Sequence, residues 1–507
     1  MTAMKYYGMY LAALLAILLA GCGESLEDTY KDYSGEGMSI RYTGRPTNIT
    51  ATPGWERVLV EWTNSVDPLI SQLKVVWRYD EEADSVLLPA GTTTYSIETI
   101  NGQPLGDRSF EITLTSVGSD GSESLATTVY GRPYTTQHEE VLAYNRLIST
   151  IYKIHDHVVL TFLDWQEGIN AAHLTYTKKD GTLGYTELTP ELVAQKYYLM
   201  EDELDNSKPI TVYRTAKLPT CVDEIEFEPM EFDNTRVFNS DFQEDLRRQY
   251  GFDEIPEQWI EQQKVLYLDG ISYNTLIDLL NFPNLNKVVM GSRRYFPESE
   301  ADDAEYAQNA VLDPISSNFA LEVLNKLNGL TVERYNKHYP QLQAAEFFQE
   351  MGATKEPKVK LIDLTGHTFR MSPADIRGFD SHLNHLTDGD PATFWEPRRT
   401  NEANQYQLSI DLGEKKAMKG VRIVQRKWEN AQEHMVAPTK VRVLLSEDGV
   451  NWGYPTYLEE IPIGAANGEV CYVDFAAAFA ARHVMLIVSS GYYFDLNFTS
   501  LAEISIY

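Results

Sequence analysis

The turn Asp388-Gly389-Asp390 gathers oxygen donors closely enough to do chemistry. Carboxylates and turn carbonyls suit a hard cation such as Ca²⁺, which takes six to eight oxygens, and a tight glycine-containing loop can fold several of them inward. Glu503 would add a distant carboxylate if the last strand returns beside the loop. The same residues also fit a plain Asx turn with a surface glutamate. Nothing nearby calls for Lewis-acid chemistry, so a cation here would pin a loop.

Other chemistries lack their signatures. The chain has 507 residues and three cysteines, Cys22, Cys221 and Cys471. They stand far apart, which argues against a disulfide framework and against a cysteine metal site. No Gly-x-Ser-x-Gly elbow, His-Glu-x-x-His helix or phosphate-cradling loop is present. Asp and Glu are plentiful between Phe232 and Tyr339, but no motif marks a pair as acid and base. The expectation is a protein that is not an enzyme. A formal net charge of −31 argues against nucleic-acid backbones as partners.

The elements that would position the turn are strands. Alternating apolar and polar residues mark Tyr406 to Leu412, Gly420 to Val424, Val441 to Ser446 and Val484 to Ser489, bounded by Asp-Gly and similar turns. Six runs follow in order: 386–395, ending Thr393-Phe394-Trp395; 406–413, ending Asp411-Leu412-Gly413; Lys419-Gly420-Val421-Arg422-Ile423; 441–453, with Ser446-Glu447-Asp448-Gly449; and the closing runs 481–488 and 499–507. Together they resemble the discoidin domain, also called the coagulation factor V/VIII type C domain. Carbohydrate-binding module family 32 shares its galactose-binding-like fold. The resemblance spans 360–507 and implies an eight-stranded jelly-roll sandwich.

That resemblance also implies a structural calcium. Carried over by position, its ligands would be the carboxylates of Asp388 and Glu503, the hydroxyl and carbonyl of Thr393, and the carbonyls of His385, Asp390 and Ala502. Sugar recognition needs an apolar face for C–H stacking and fork-like donors for vicinal hydroxyls. In family 32 modules these stand on loops at one end of the sandwich. The corresponding candidates are Glu396, Arg398 and Arg399; Arg426, Trp428, Asn430 and His434; and Tyr492, Tyr493 and Phe494. Glu396 stands where sugar-binding members often carry histidine. Arg426 fits a ligand fork or a structural ion pair equally. Phe394, Trp395 and Trp452 read as core. Three adjacent aromatics in a loop cannot all point inward, which makes 492–494 the best platform.

The N-terminus reads as an address. Lys5 precedes an apolar run, 11–20, too short to span a bilayer. Its end, Leu19-Ala20-Gly21-Cys22, resembles the bacterial lipobox, which implies cleavage after residue 21 and lipidation of Cys22. The acidic tether 22–41 resembles the surface-export signal of Bacteroidota lipoproteins. An outer-membrane lipoprotein, facing the cell exterior, is expected.

Between tether and C-terminal domain, short strands recur. Arg57 to Trp62, Leu73 to Tyr79 and Ser109 to Val117 read as strands of a sandwich over 42–135 resembling a fibronectin type III or immunoglobulin-like module. His157 to Phe162, His173 to Thr177 and Thr211 to Thr215 repeat the pattern over 136–231, as a second spacer. Trp62, Trp77 and Trp165 read as core. Over 232–350 a strand–helix–strand rhythm, Val265 to Gly270, Thr275 to Leu280 and Lys287 to Met290, is like one or two leucine-rich units in a mixed α/β segment.

The fold class expected is therefore mainly β: two tandem sandwiches, a small α/β segment and a discoidin-like jelly roll. The expected function is a non-catalytic, lipid-anchored surface protein presenting a glycan-binding domain, with polysaccharide-import proteins as possible partners. The alternatives are a protein-binding adhesion lipoprotein and a carbohydrate-active enzyme.

Overall fold

The computed structural model describes residues 43–144, 146–232, 235–297, 310–374, 382–429 and 435–507. Cys22, the apolar run before it and the tether lie outside the described residues, as do Asn430 and His434. Among the described residues no helix is long and apolar enough to cross a membrane. The chain divides into two compact units. One runs up to Arg146 and includes Gln166–Ala172 and Arg214–Glu228; the other comprises Leu147–Trp165, His173–Tyr213 and Pro229–Tyr507. Strands of the second repeat are shared between them.

In the first unit the alternation reads directly into two antiparallel sheets. One contains Thr47–Gly54, Arg57–Thr63 and Thr94–Ile97; the other contains Glu82–Pro89, Ile70–Tyr79, Phe110–Gly118 and Thr127–Gly131, in that order. Val58, Val60 and Trp62 from one face meet Leu73, Val75 and Trp77 from the other in a shared core. Each of these strands turns every second side chain inward. Both indoles keep a partner for their N–H, Trp62 on Asn64 Oδ1 and Trp77 on the Thr99 carbonyl, each at 2.9 Å. In the same unit Asp223 takes both arms of Arg57, at 3.0 and 2.7 Å, the strong bidentate geometry.

In the second unit, Ile148–Ile154, His157–Phe162 and Tyr197–Leu199 form an antiparallel sheet. Its Tyr152, Ile154 and Val159 enter one hydrophobic core with Leu266, Leu280, Phe282 and Val288 of the following segment. Trp165 is half-buried, at the margin of this sheet.

That following segment carries four parallel strands in chain order: Val265–Leu268, Lys287–Met290, Thr331–Tyr335 and Phe348–Gly352. The sequence pointed to the first two; the last two extend the array. A short parallel array leaves a bare face unless something stacks on it, and the sheet of Ile148–Ile154 supplies cover. The expected helix over Thr275 to Leu280 is a single 3-10 turn, Ile277–Asn281. Helix Ser240–Tyr250 ends at Gly251, with φ 74°. Helix Pro314–Asn328 starts on the Asp313 side chain, which caps Ile315 and Ser316, and stops at Gly329.

The 3-10 turn buries a carboxylate. Asp278 is 1% exposed and accepts from the N–H and side-chain amide of Asn239, at 3.1 and 2.9 Å. Burial pushes its carboxyl up to about 6 against those two bonds, and the Asp241 charge adds to the rise. A raised carboxyl binds its proton more tightly folded than unfolded, so stability falls as pH climbs from about 4 to about 6 and stays reduced above. Asp278→Asn removes the titrating charge but keeps only one of the two acceptors that Asn239 uses, so it is expected to lower stability at pH 4 by about 1 kcal/mol and to abolish the fall between pH 4 and pH 7. Urea unfolding at the two pH values checks this.

In the C-terminal domain, Tyr406 to Leu412 and Gly420 to Val424 are not separate strands. They are the two ends of one twenty-residue strand, Gln405–Val424, paired along its length with Val470–Ser489. Register shifts at Asp411/Lys416 and Met418/Gly420 let both strands bend without breaking. One end pairs with Arg370–Ser372, the other with Glu503–Ile506, while Lys440–Ser446 lies on the far side of Val470–Ser489. Leu408, Ile410, Val421, Val443, Leu486 and Ile504 close a core around fully buried Trp395.

Candidate functional site

The last strand does return beside the Asp388 turn. The short helix Leu383–Thr387 leads into the turn, and Gly389, at φ 80°, donates its N–H to Glu503 Oε1 at 2.9 Å across 114 residues. Asp390 N–H donates to Asp388 Oδ1 at 3.0 Å. The Thr393 hydroxyl lies 2.8 Å from Asp388 Oδ2 and 2.9 Å from the Asp390 carbonyl. His385 stacks on His382 and sets its Nδ1 3.0 Å from the Phe394 carbonyl, so its ring is engaged away from the turn. Ala502 ties in through its N–H on the Val424 carbonyl.

The electrostatics are those of two carboxylates held together. Burial, and then the Asp388 carboxylate beside it, push the Glu503 carboxyl up to about 7. Burial works against Asp388 as well, yet the Asp390 N–H, the Thr393 hydroxyl and Glu503 hold its carboxyl below the usual range. Among the described residues no group of three or more His, Cys, Asp or Glu could hold a metal. A cation here would rely on two carboxylates plus hydroxyl and backbone oxygens. That all-oxygen set fits Ca²⁺ and suits neither zinc nor copper.

The sugar candidates gather at one end of the sandwich. Residues 396–404 run beside the hairpin Gly491–Tyr493/Leu496–Phe498, joined by reciprocal bonds between Thr400 and Asn497 at 3.0 and 2.6 Å. Arg399 spans the two, with its guanidinium 3.9 Å from the Phe498 ring centroid and its Nε on Glu396 at 2.8 Å. Arg426 bonds the other Glu396 oxygen at 2.5 Å. Its guanidinium lies between the rings of Phe394 and Trp428, 3.3 and 4.1 Å from their centroids.

Two residues expected at the surface therefore sit beneath it. Trp428 is 4% exposed and packs edge-on against Phe498 beside Val436. The Arg426 side chain is 14% exposed and is paired with Glu396. The physical reason is shared: the apolar underside of the hairpin needs cover, and indole and stacked guanidinium supply it. Arg398 is different. It is exposed and makes no ion pair with any described residue.

The aromatic cluster separates as expected. Tyr492 is 61% and Phe494 77% exposed, while Tyr493 turns half-buried onto the Trp428 cluster. Tyr492 is oriented by its hydroxyl on Asp495 at 2.7 Å. Phe494 and Asp495 form the two-residue loop, at φ 48° and 59°. Both positive values match the primed turn that twisted hairpins prefer, whose usual residues are Asn-Gly. A phenylalanine there is strained, and such strain concentrates at functional sites. The sequence did not point to Asp495, Phe498 or Thr400. Only the three-residue spacing of Tyr492 and Asp495 around a turn could have given a signal.

Comparison with known families now places the domain. Residues 374–504 match the F5/8 type C domain. Residues 22–224 match one further family, DUF4998, a domain of unknown function. No curated protein matches the chain. Among solved structures, a Clostridium perfringens module, CpGH89CBM32-5, in complex with GalNAc-β-1,3-galactose is 20% identical, covering 29% of this chain and 99% of its own at a TM-score of 0.24. The family 32 module of C. perfringens NanJ in complex with galactose is 22% identical over 29% of this chain and 96% of its own, at 0.22. An F5/8 type C domain from Bacteroides fragilis is 16% identical over 29% and 94%, at 0.23.

Proposed function

We propose that this chain is a non-catalytic, lipid-anchored surface protein that captures glycans on the loop end of its F5/8 type C domain. The observation that carries this reading is the exposed pair Tyr492 and Phe494, held on a strained hairpin beside the uncommitted guanidinium of Arg398. Aromatic faces accept the C–H surface of a pyranose, and a guanidinium fork suits vicinal hydroxyls. Glu396, Arg399, Arg426, Trp428 and Tyr493 would form the base that fixes these three. Cys22 would carry the lipid that holds the chain at the outer membrane. A shallow single site binds weakly, and many anchored copies would add avidity.

Galactose-containing glycans are the first probes, since the C. perfringens modules are seen with galactose and GalNAc-β-1,3-galactose. A glycan array with the chain from residue 23 onward, beside the Arg398→Ala variant, tests the reading. Binding that the variant loses supports it. A folded protein that binds no glycan contradicts it and favours a protein partner.

Asp388, Glu503 and Thr393, with the carbonyls of His385, Asp390 and Ala502, would hold a structural Ca²⁺ that draws the turn onto the last strand. Calcium at a hundredfold excess over its Kd is expected to stabilise the domain by about 2.7 kcal/mol. Chelator should therefore lower the melting temperature by several degrees. Asp388→Ala should melt at one temperature with or without the ion.

A further inference from the structure

We propose that a cleft between the parallel sheet and the F5/8 type C domain is a second binding site, for a neutral polyhydroxylated ligand such as a sugar ring. It encloses about 350 Å³, within the range of small-molecule sites. Strands Val265–Leu268 and Lys287–Met290 end at it, one running into Asp269 and the other into the turn at Gly291. The carboxyl ends of parallel strands are where open α/β sheets bind their ligands.

Three atoms in this cleft lack a hydrogen-bond partner, Gln249 Oε1, Asp269 Oδ2 and Arg294 Nη1. The Asp269 and Arg294 side chains are only 3% and 6% exposed, and Gln249 gives its Nε2 to Asp245 and the Tyr267 carbonyl at 2.7 and 3.0 Å. Each belongs to a group whose other atoms are committed. Asp269 Oδ1 accepts from the Arg293 N–H at 3.1 Å, and the Ser292 hydroxyl lies 3.4 Å from it. Arg294 gives Nε and Nη2 to Glu469. What remains is two acceptors and one donor, a set that the hydroxyls of a polyol, each both donor and acceptor, satisfy. Buried polar atoms left unpaired cost free energy that such a ligand would recover.

The charge balance favours a neutral ligand. Arg294 is neutralised by Glu469, and Arg293 Nε stands 3.8 Å from Asp269 Oδ2, too far for a hydrogen bond but near enough to offset its charge. Tyr295, Tyr457 and Tyr472 line the same cleft; Tyr295 and Tyr472 pack edge-on against each other at 5.4 Å, and Tyr457, 44% exposed, offers the stacking face. Tyr457 is fixed from behind by Gly251, where even a Cβ would come within 2.5 Å of its ring. The remaining wall carboxylate, Asp474, accepts from the Tyr507 hydroxyl at 2.8 Å. One charge-paired carboxylate and one guanidinium nitrogen, each with hydrogen-bonding capacity left, make a binding set rather than the two-carboxyl acid–base pair of hydrolysis.

This inference rests on the glycan-capture reading only for its choice of probes. The test uses the chain from residue 23 onward carrying Arg398→Ala and Phe494→Ala, which removes the loop-end site. Saturation-transfer NMR and calorimetry would follow binding of galactose, N-acetylgalactosamine, N-acetylglucosamine, glucose and mannose. At least one sugar is expected to bind this background at a single site. Asp269→Asn and, separately, Tyr457→Ala should each weaken it tenfold or more with an unchanged melting temperature. The Tyr457 variant decides the matter if Asp269→Asn fails to fold. No binding of any of these sugars to the background overturns the second site, whatever the wild type does. Retained binding that ignores both variants also overturns it. Binding in the background that depends on Asp269, with no loss between wild type and background, upholds the cleft and refutes the loop-end site.

Discussion

Glu469→Ala is expected to destabilise the second unit by about 3–5 kcal/mol, the cost of stripping one partner from a buried ion pair. Glu469 is fully buried, and Arg294 beneath it is 5% exposed. The carboxylate takes Nε and Nη2 of Arg294 and also the Ala466 N–H at 3.0 Å. A Cβ on Gly464 would fall 2.1 Å from its oxygens, so glycine there makes room for the charge. The pair ties residues 175 apart, joining the parallel-sheet segment to the F5/8 type C domain. Beside it the Val470 N–H bonds the Tyr295 carbonyl at 2.8 Å, extending the strand pairing across the junction. Alanine would leave a guanidinium buried with no counter-charge. The double replacement Arg294→Met with Glu469→Leu should cost much less, because a matched apolar pair removes both desolvation penalties. Urea unfolding followed by tryptophan fluorescence checks both. Equal losses in the single and double variants would show that packing, not charge, holds the junction.

Phe494→Gly is expected to move binding and stability in opposite directions. Glycine adopts φ 48° at no steric cost, whereas phenylalanine held there is strained. Relief of that strain, less the entropy of a freer unfolded chain, should raise stability by up to about 1 kcal/mol. The same change removes a ring that is 77% exposed and contributes little to the core. Glycan affinity should fall at least tenfold, about 1.4 kcal/mol. A residue kept for packing would lose stability on truncation, so the opposing signs separate recognition from structure. Melting curves and calorimetry on the same two proteins make the comparison.

Much of this was legible in the residues, and the limits have physical causes. Strands with one wet and one dry face, such as Arg57–Thr63 and Ile70–Tyr79, announce themselves by alternation. The Asp388 turn and Glu503 could be joined because a closing strand in a sandwich must return beside its neighbours. The sequence hid features that depend on long-range partners. Gln405–Val424 is one strand because bulges carry it through Gly413 and Gly420, which locally look like ends. Thr331–Tyr335 was missed because Glu333 and Arg334 break its apolar run; Lys287 and Glu350 neutralise them only once the strands are aligned. Arg426 and Trp428 carry ligand-like chemistry in a loop. Only Glu396, Phe394 and Phe498 arriving from elsewhere turn them inward. At Asp269 and Arg294 no motif exists, since the two loops meet only through the parallel register.

The central claim is that the hairpin end of the F5/8 type C domain holds a glycan. Amide chemical-shift mapping on the isotopically labelled chain, titrated with the strongest-binding array glycan in calcium, tests it most directly. Shifts confined to Arg398, Arg399 and 491–496 are expected, saturating at one affinity that falls at least tenfold in Phe494→Gly. Shifts that leave these residues untouched while the glycan binds would contradict it.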